Sequence, residues 1–377
     1  MMGGLFGRHP HVTGLFVFLA ACLLGLLIAE LTLRIFAPQI TIPHPRGHYA
    51  LDPELDFILT PNRSSLIANP EWKMQVVTNT LGLREREFDI KGPEERRLLI
   101  LGDSFTFGMG VAAEEAYPRV MEQQLRAAGF PNVMVINGGM PGYGTRQSEI
   151  LFERIVERAL PDAVLLGFFV GNDFFDNLRL NRYQMVDGYL ALASRRGTRL
   201  SLTQWLQIPV ETKVALRTRS HLYTALMNAW SSIIVAAGWA DTYEIYRQDL
   251  SPEMIEAISM TGEAFARLAG ACRARNLPFG ILILPEGRVA AGLPRISDYS
   301  FDRPSAIVRD LASTHGHSVL DLTDTLAQRD DLYYPVDRHW NVSGHRVVSQ
   351  LVTDALLQGE FRSLLAAPDA LPTHSHR

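Results

Sequence analysis

The stretch 98-LLILGDSFTFGMG-110 runs from four apolar residues through a Gly-Asp-Ser corner and out through two more glycines. A short, unbroken apolar run closed by a glycine corner suits a strand covered on both faces, as in a parallel sheet. Working outward, the same unit recurs. "RLLILG" (97–102) predicts a strand and "EEAYPRVMEQQLRAAG" (114–129) a helix ending at Gly129. "VMVINGG" (133–139) and "RQSEILFERIVERAL" (146–160) repeat that pair, and "DAVLLGFFVGND" (162–173) supplies a third strand. Beyond residue 250 the pattern resumes with a helix at 253–275, a strand "FGILILP" (279–285), a helix near 303–314 and a strand "SVLDL" (318–322). A last helix runs to about residue 358. This alternation predicts an α/β fold, a parallel sheet with helices on both faces.

The 377 residues, 47% hydrophobic and 20% charged, suit one catalytic-size domain with appendages. A net charge of -4 and no long Lys/Arg run argue against a nucleic-acid partner. Cys22 and Cys272 cannot make a framework of bridges. From Val12 to Phe36 the chain is apolar except for Thr13, Glu30, Thr32, Arg34 and two glycines. That length predicts a single uncleaved membrane anchor within residues 1–37. Two rivals fit less well: "LAAC" (19–22) resembles a lipoprotein cleavage motif but the apolar run continues past it, and a cleaved secretory signal has a shorter apolar region. Arg8 before the span and Arg34 and Arg46 after it leave the orientation open.

Residues 38–62, rich in Pro, His and Gly, read as a linker, with a short strand at 74–78 ("MQVVT"), so that 38–95 is a linker and N-terminal extension. The main domain is expected over 96–365, with an insertion at about 174–250 that should form local helices. Within it "HLYTALMNAWSSIIVAAGW" (221–239) reads as a buried or lid helix near the bilayer, since Asn228, Ser231 and Ser232 interrupt a second span. Residues 366–377 read as a disordered tail.

In an open parallel sheet, chain reversals at the carboxyl ends of strands converge on one crevice. Three successive strands here end in "GDSFTFG", "NGGMPGYG" and "GND". Ser104 would emerge in the first helical turn after its strand, beside unpaired backbone N–H groups, which suits a nucleophilic hydroxyl next to a developing oxyanion. The Walker loop, the dinucleotide fingerprint and the nucleophile elbow all fail: Met109 follows Gly108, no third glycine is spaced correctly, and Thr106 stands two after the serine. No paired histidines at metal spacing appear, so neither cofactor nor metal is expected. A serine mechanism needs a base, and "YYPVDRHWNVSGH" places Asp337 and His339 two apart just before the last helix. The competing structural roles are a helix cap for Ser104, a turn residue for Asn172, corner stabilisation for Asp103 and Asp173, a satisfied loop histidine for His339, and helix-face packing for His345, the rival base.

The blocks "GDSFTFG", "GGMPGYG", "GND" and "DRHW", in that order across about residues 96–360, resemble the SGNH/GDSL hydrolases. The resemblance implies a flavodoxin-like three-layer α/β/α parallel sheet. It also implies Ser104 as nucleophile, His339 as base and Asp337 as its orienting acid. The oxyanion donors would be the N–H groups of Ser104 and Gly142, with Gly139 a near rival, and the Asn172 amide. Phe105 departs from the leucine of the family tetrad, and Asp-x-His replaces the usual Asp-x-x-His, a spacing similar to that of membrane-anchored members. "VVTNTLGLRERE" looks like an extension of such members, with Asn79 and Arg84 bracing the site. The expectation is a membrane-anchored serine esterase with an extracytoplasmic domain, cleaving O-acyl, chiefly O-acetyl, esters of cell-envelope carbohydrate. An O-acyltransferase acting on an exopolysaccharide, and a non-catalytic glycan-binding or assembly protein, are the alternatives. The oligomeric state is not set by the sequence.

Overall fold

The computed structural model describes residues 10–41, 44–178, 182–194, 208–236, 244–287, 300–314, 316–326 and 329–365. The chain falls into two compact units, one of Met1–Pro43 with Arg199–Ala240, the other of His44–Thr198 with Asp241–Arg377. The tail at 366–377 lies outside the described residues.

In the first unit, helix α1 (Pro10–Phe36) carries an exposed apolar surface and, over His11–Phe36, a mean hydropathy of 2.6, long and apolar enough to cross a membrane. Near its end the Glu30 carboxylate accepts hydrogen bonds from Ser220 Oγ and the N–H groups of His221 and Leu222.

The second unit begins with two hairpins, β1 (Tyr49–Asp52) with β2 (Asp56–Leu59) and β3 (Ser64–Ala68) with β4 (Lys73–Val77). Composition at 38–62 reads as linker, yet Tyr49, Leu55, Phe57 and Leu59 are buried in the main core. The physical reason is alternation at short range: β3 and β4 turn Ser65, Ile67, Met74 and Val76 inward and leave Leu66, Gln75 and Val77 exposed. Strand β5 (Arg96–Gly102) then starts the sheet. It continues through α2 (Ser104–Phe107), α3 (Tyr117–Ala127), β6 (Val133–Gly139), α4 (Thr145–Ala159), β7 (Ala163–Phe169) and α5 (Asp173–Leu178).

The insertion, expected to be helical, opens with a hairpin of β8 (Arg182–Val186) and β9 (Tyr189–Ser194). Its turn is Asp187-Gly188, both at positive φ, a pair that closes two-residue hairpins because its twist matches the flanking strands. Helices α6 (Val210–Arg219) and α7 (His221–Ala236) belong to the first unit. The second unit resumes with α8 (Pro252–Ala274), β10 (Phe279–Leu284), α9 (Arg303–Ser313), β11 (Ser318–Asp321), α10 (Thr323–Leu326), α11 (Val342–Gln358) and α12 (Arg362–Leu365).

The five parallel strands lie in the order β6-β5-β7-β10-β11. Counted as they enter the sheet this is 2-1-3-4-5, the flavodoxin-like order, whose switch point falls between β5 and β7. Alternate residues of β5 serve the two faces. Leu99 and Leu101 pack with Phe152 and Ile155 of α4 and Phe265 of α8, while Leu98 and Ile100 pack with Met121 and Leu125 of α3 and Val348 and Val352 of α11. Two cores separated by one sheet make the three layers predicted from the alternation.

Candidate active site

The switch point places the ends of β6, β5 and β7 side by side, with Gly102 in register with Gly139 on one side and Gly167 on the other. This row of glycines lets the first turn of α2 sit directly on the strand ends. A Cβ at Gly102 would lie 2.3 Å from Thr106 Oγ1, and one at Gly139 would lie 2.3 Å from the Phe107 backbone nitrogen. Thr106, seated in the row, hydrogen bonds Tyr117 OH at 3.0 Å.

Asp103, not Ser104, caps α2: its buried carboxylate accepts the Phe105 N–H at 2.9 Å. Burial pushes the Asp103 carboxyl upward. Ser104 is therefore freed from the capping role, and its partly exposed hydroxyl meets His339 Nε2 at 2.8 Å. On the other side of the ring, His339 Nδ1 lies 2.5 Å from Asp337 Oδ1. The fold thus brings together two side chains 235 residues apart in sequence. Burial raises the Asp337 carboxyl, but the hydrogen bond and charge of His339 outweigh it and hold the group below the ordinary carboxylate range.

The Asp-x-His loop is a tight reversal. Tyr334 N–H donates to His339 O at 2.9 Å, Arg338 N–H to Tyr334 O at 3.1 Å, and Arg338 sits at φ 70°. With the turn this tight, one intervening residue suffices for the carboxylate to reach the ring. Trp340, fully buried, anchors the loop, and Phe105 packs between them, its ring 4.8 Å from Trp340 and 5.0 Å from His339.

The remaining predicted donors lie on the neighbouring strand ends. Gly142 follows β6, and its N–H has no acceptor among the described residues, whereas the Gly139 N–H is committed to Asn137 Oδ1 at 2.9 Å. Asn172 follows β7 and its amide donates to Asp176, leaving a second amide hydrogen. Asp173 accepts the Phe169 N–H at 2.9 Å, a corner role. His345 is a buried member of α11 whose Nδ1 accepts the Tyr117 N–H at 3.2 Å; burial drives it down to about 3, so it stays neutral and packed.

Of the two extension residues, Arg84 does brace the corner, donating to the carbonyls of Gly108 and Val111 at 2.9 and 2.7 Å. Asn79 instead shapes its own turn, accepting from Leu81 and Leu83 N–H. Two residues that sequence reasoning passed over also reach the Asp-x-His loop. Asn69 Nδ2 donates to Asp337 Oδ2 at 2.6 Å, and Glu71 accepts the N–H groups of Val336 and Asp337 at 3.0 and 2.5 Å. Only the Asn-Pro-Glu-Trp turn signal marked them, and it carries no information about a partner more than 260 residues away.

Residues 100–347 match the GDSL-like Lipase/Acylhydrolase family. No curated protein matches the chain. Similar solved structures include TesA, at 11% identity and TM-score 0.40, covering 69% of this chain and 98% of that one. The psychrotrophic esterase EstA from Pseudoalteromonas sp., inhibited by monoethylphosphonate, aligns at 14% identity and TM-score 0.38, covering 70% and 98%. The acetyl xylan esterase AlAXEase aligns at 16% and 0.38, covering 69% and 99%. The family match takes in the Gly-Asp-Ser corner, both glycine-bearing strand ends and the Asp-x-His loop, and on it the chain belongs to the GDSL-like lipase/acylhydrolase family.

Proposed function

We propose that the protein is a serine esterase in which Ser104, His339 and Asp337 form the catalytic triad. The observation that carries this reading is the unbroken chain from Ser104 Oγ through the imidazole to Asp337, at 2.8 and 2.5 Å. His339 Nε2 takes the hydroxyl proton as Ser104 Oγ attacks the ester carbonyl. The tetrahedral oxyanion is held by the N–H groups of Ser104 and Gly142 and the free amide hydrogen of Asn172. On collapse His339 returns the proton to the departing alcohol, and water repeats the sequence on the acyl-enzyme. Asp337, kept ionised, fixes the ring tautomer and stabilises the imidazolium.

The substrate reading is an O-acyl, chiefly O-acetyl, ester of cell-envelope carbohydrate. The domain 96–365 would act outside the cytoplasm on an anchor formed by residues 1–37; the exposed apolar surface of α1 supports the anchor. Turnover of 4-nitrophenyl acetate by the full chain in detergent tests the chemistry: Ser104→Ala should lose about a million-fold in kcat with the fold intact. Full activity in that variant overturns the assignment. Free acetate released from acetylated glycan tests the substrate class, and acetyl appearing on an added glycan in place of free acetate would mark a transferase.

A further inference from the structure

The triad proposed above has an acid on a short, partly buried loop, and a short Asp-x-His spacing leaves nothing within the loop to hold the outer carboxylate oxygen. That oxygen is held from the N-terminal extension. Asn69 begins the turn after β3, where its Oδ1 accepts the N–H groups of Glu71 and Trp72 at 2.8 and 2.9 Å. Those two bonds fix which end of the amide is oxygen, so Nδ2 must face Asp337 Oδ2, 2.6 Å away. The same turn presents the Glu71 carboxylate to the N–H groups of Val336 and Asp337. One side chain therefore grips the acid's carboxylate and the other its backbone, both from a segment that precedes the first sheet strand.

We infer that Asn69 and Glu71 are positioning residues of the catalytic machinery, a clamp from the N-terminal hairpin that sets both the orientation of Asp337 and the basicity of His339. The inference rests on the triad reading. Their electrostatic effects oppose one another. The Asn69 amide spreads the negative charge of Asp337 and so weakens its hold on the imidazolium. Glu71 adds a second negative charge nearby and strengthens that hold. Among the described residues, the other ionisable groups around the imidazole include Asp337 beside it, Tyr334 and Arg338 on the same loop, Asp103 behind the serine with Asp176 beyond, and His345 on α11. None of these changes in the variants below.

The test is the pH dependence of kcat/KM for 4-nitrophenyl acetate, measured on the full chain in detergent. Asn69→Ser keeps an oxygen to accept the turn N–H groups but cannot reach Asp337. Its kcat/KM should fall about tenfold, the worth of one hydrogen bond to a charged group, and its acid limb should move to higher pH. Glu71→Gln keeps an acceptor for one loop N–H and loses the charge, so its acid limb should move to lower pH. A variant that merely loosened the fold would lower activity without moving the two limbs in opposite directions. Wild-type limbs and wild-type kcat/KM in both variants overturn the clamp while Ser104→Ala remains inactive. Activity surviving in Ser104→Ala instead overturns the triad itself.

Discussion

The Gly-Asp-Ser corner and the N-terminal hairpins approach the same Asp-x-His loop, one from the sheet and one from outside it, and they touch it by different kinds of contact. The corner is made by apolar burial: strands covered on both faces, a row of glycines under α2, and Phe105 packed against both the imidazole and Trp340. The hairpins share the larger apolar core with one face of the sheet, but the extension meets the corner and the Asp-x-His loop through hydrogen-bonding groups: Arg84 on the carbonyls after α2, and Asn69 and Glu71 on the loop. Burial is non-directional and tolerates exchange among side chains of similar volume. Hydrogen bonds fix direction and fail when one partner is lost. On the reading proposed above, the sheet brings Ser104 and His339 together and the extension aims Asp337.

The sharpest way to break this division is at Arg84, whose buried guanidinium satisfies carbonyls of Phe107, Gly108 and Val111. Arg84→Met keeps much of the volume and leaves those acceptors unpaired, so it should cost about 3–5 kcal/mol in a urea unfolding curve. A loss below 1 kcal/mol would mean that the extension merely leans on the corner. Next in size is Gly139→Ala. Its Cβ would press on backbone atoms of Thr106 and Phe107, which cannot rotate away. We expect about 1–3 kcal/mol of destabilisation. A displacement of α2 by about 1 Å should also lower kcat about a hundredfold. Wild-type activity there would show that the glycine row does not set the position of Ser104.

The two regions also carry one buried neutral histidine each, His345 in α11 and His48 before β1, both driven down to about 3 by burial. His345 also feels His339 and Arg84, and His48 feels His44 and Arg63. Because the unfolded histidines take up a proton near 6.5 and the folded ones do not, stability is full above that pH and is lost as pH falls from about 6.5 toward 3. At pH 5 each should account for about 2 kcal/mol. His345→Gln should flatten the global stability profile between pH 7 and 5. His48→Gln should instead remove the acid-induced opening of the hairpins, read by hydrogen exchange at β1 and β2. If both act on the global transition equally, the extension unfolds with the sheet and the distinction in cooperativity disappears.

The same division explains what could be read from the chain alone. Strands β5, β6, β7 and β10 announced themselves as apolar runs, because residues covered on both faces leave little choice of composition, and the observed Val133–Gly139 coincides with the predicted run. The glycine corners and the Asp-x-His pair were visible because close backbone approach and imidazole chemistry admit few residue types. The strands at 49–68 were hidden by their prolines and short alternation, though β4 was visible as a short strand at 74–78, and the β8–β9 hairpin was hidden by its place in an irregular segment, although its Asp-Gly turn was there to be read. Asn69 and Glu71 lay beyond sequence reasoning for a different reason: a polar residue in a turn satisfies its neighbours in many proteins, and only the folded chain shows that one end of the amide is left over for Asp337.

The smallest expected effect distinguishes the two ways of holding the imidazole. Phe105→Leu restores the residue usual in the family and removes a ring that stacks on Phe169 at 4.1 Å and packs against Trp340 and His339. The side chain is 3% exposed, so the smaller residue leaves a partial void and should cost about 1 kcal/mol of stability. If the ring of His339 is aimed by Asp337 and the clamp behind it, losing the aromatic platform should change kcat less than threefold, because both ring nitrogens keep their hydrogen bonds. A fall of tenfold or more would place the aim of the base in the packed corner instead. The extension would then contribute stability alone, since a stacking contact that governs kcat leaves Asn69 and Glu71 nothing to orient.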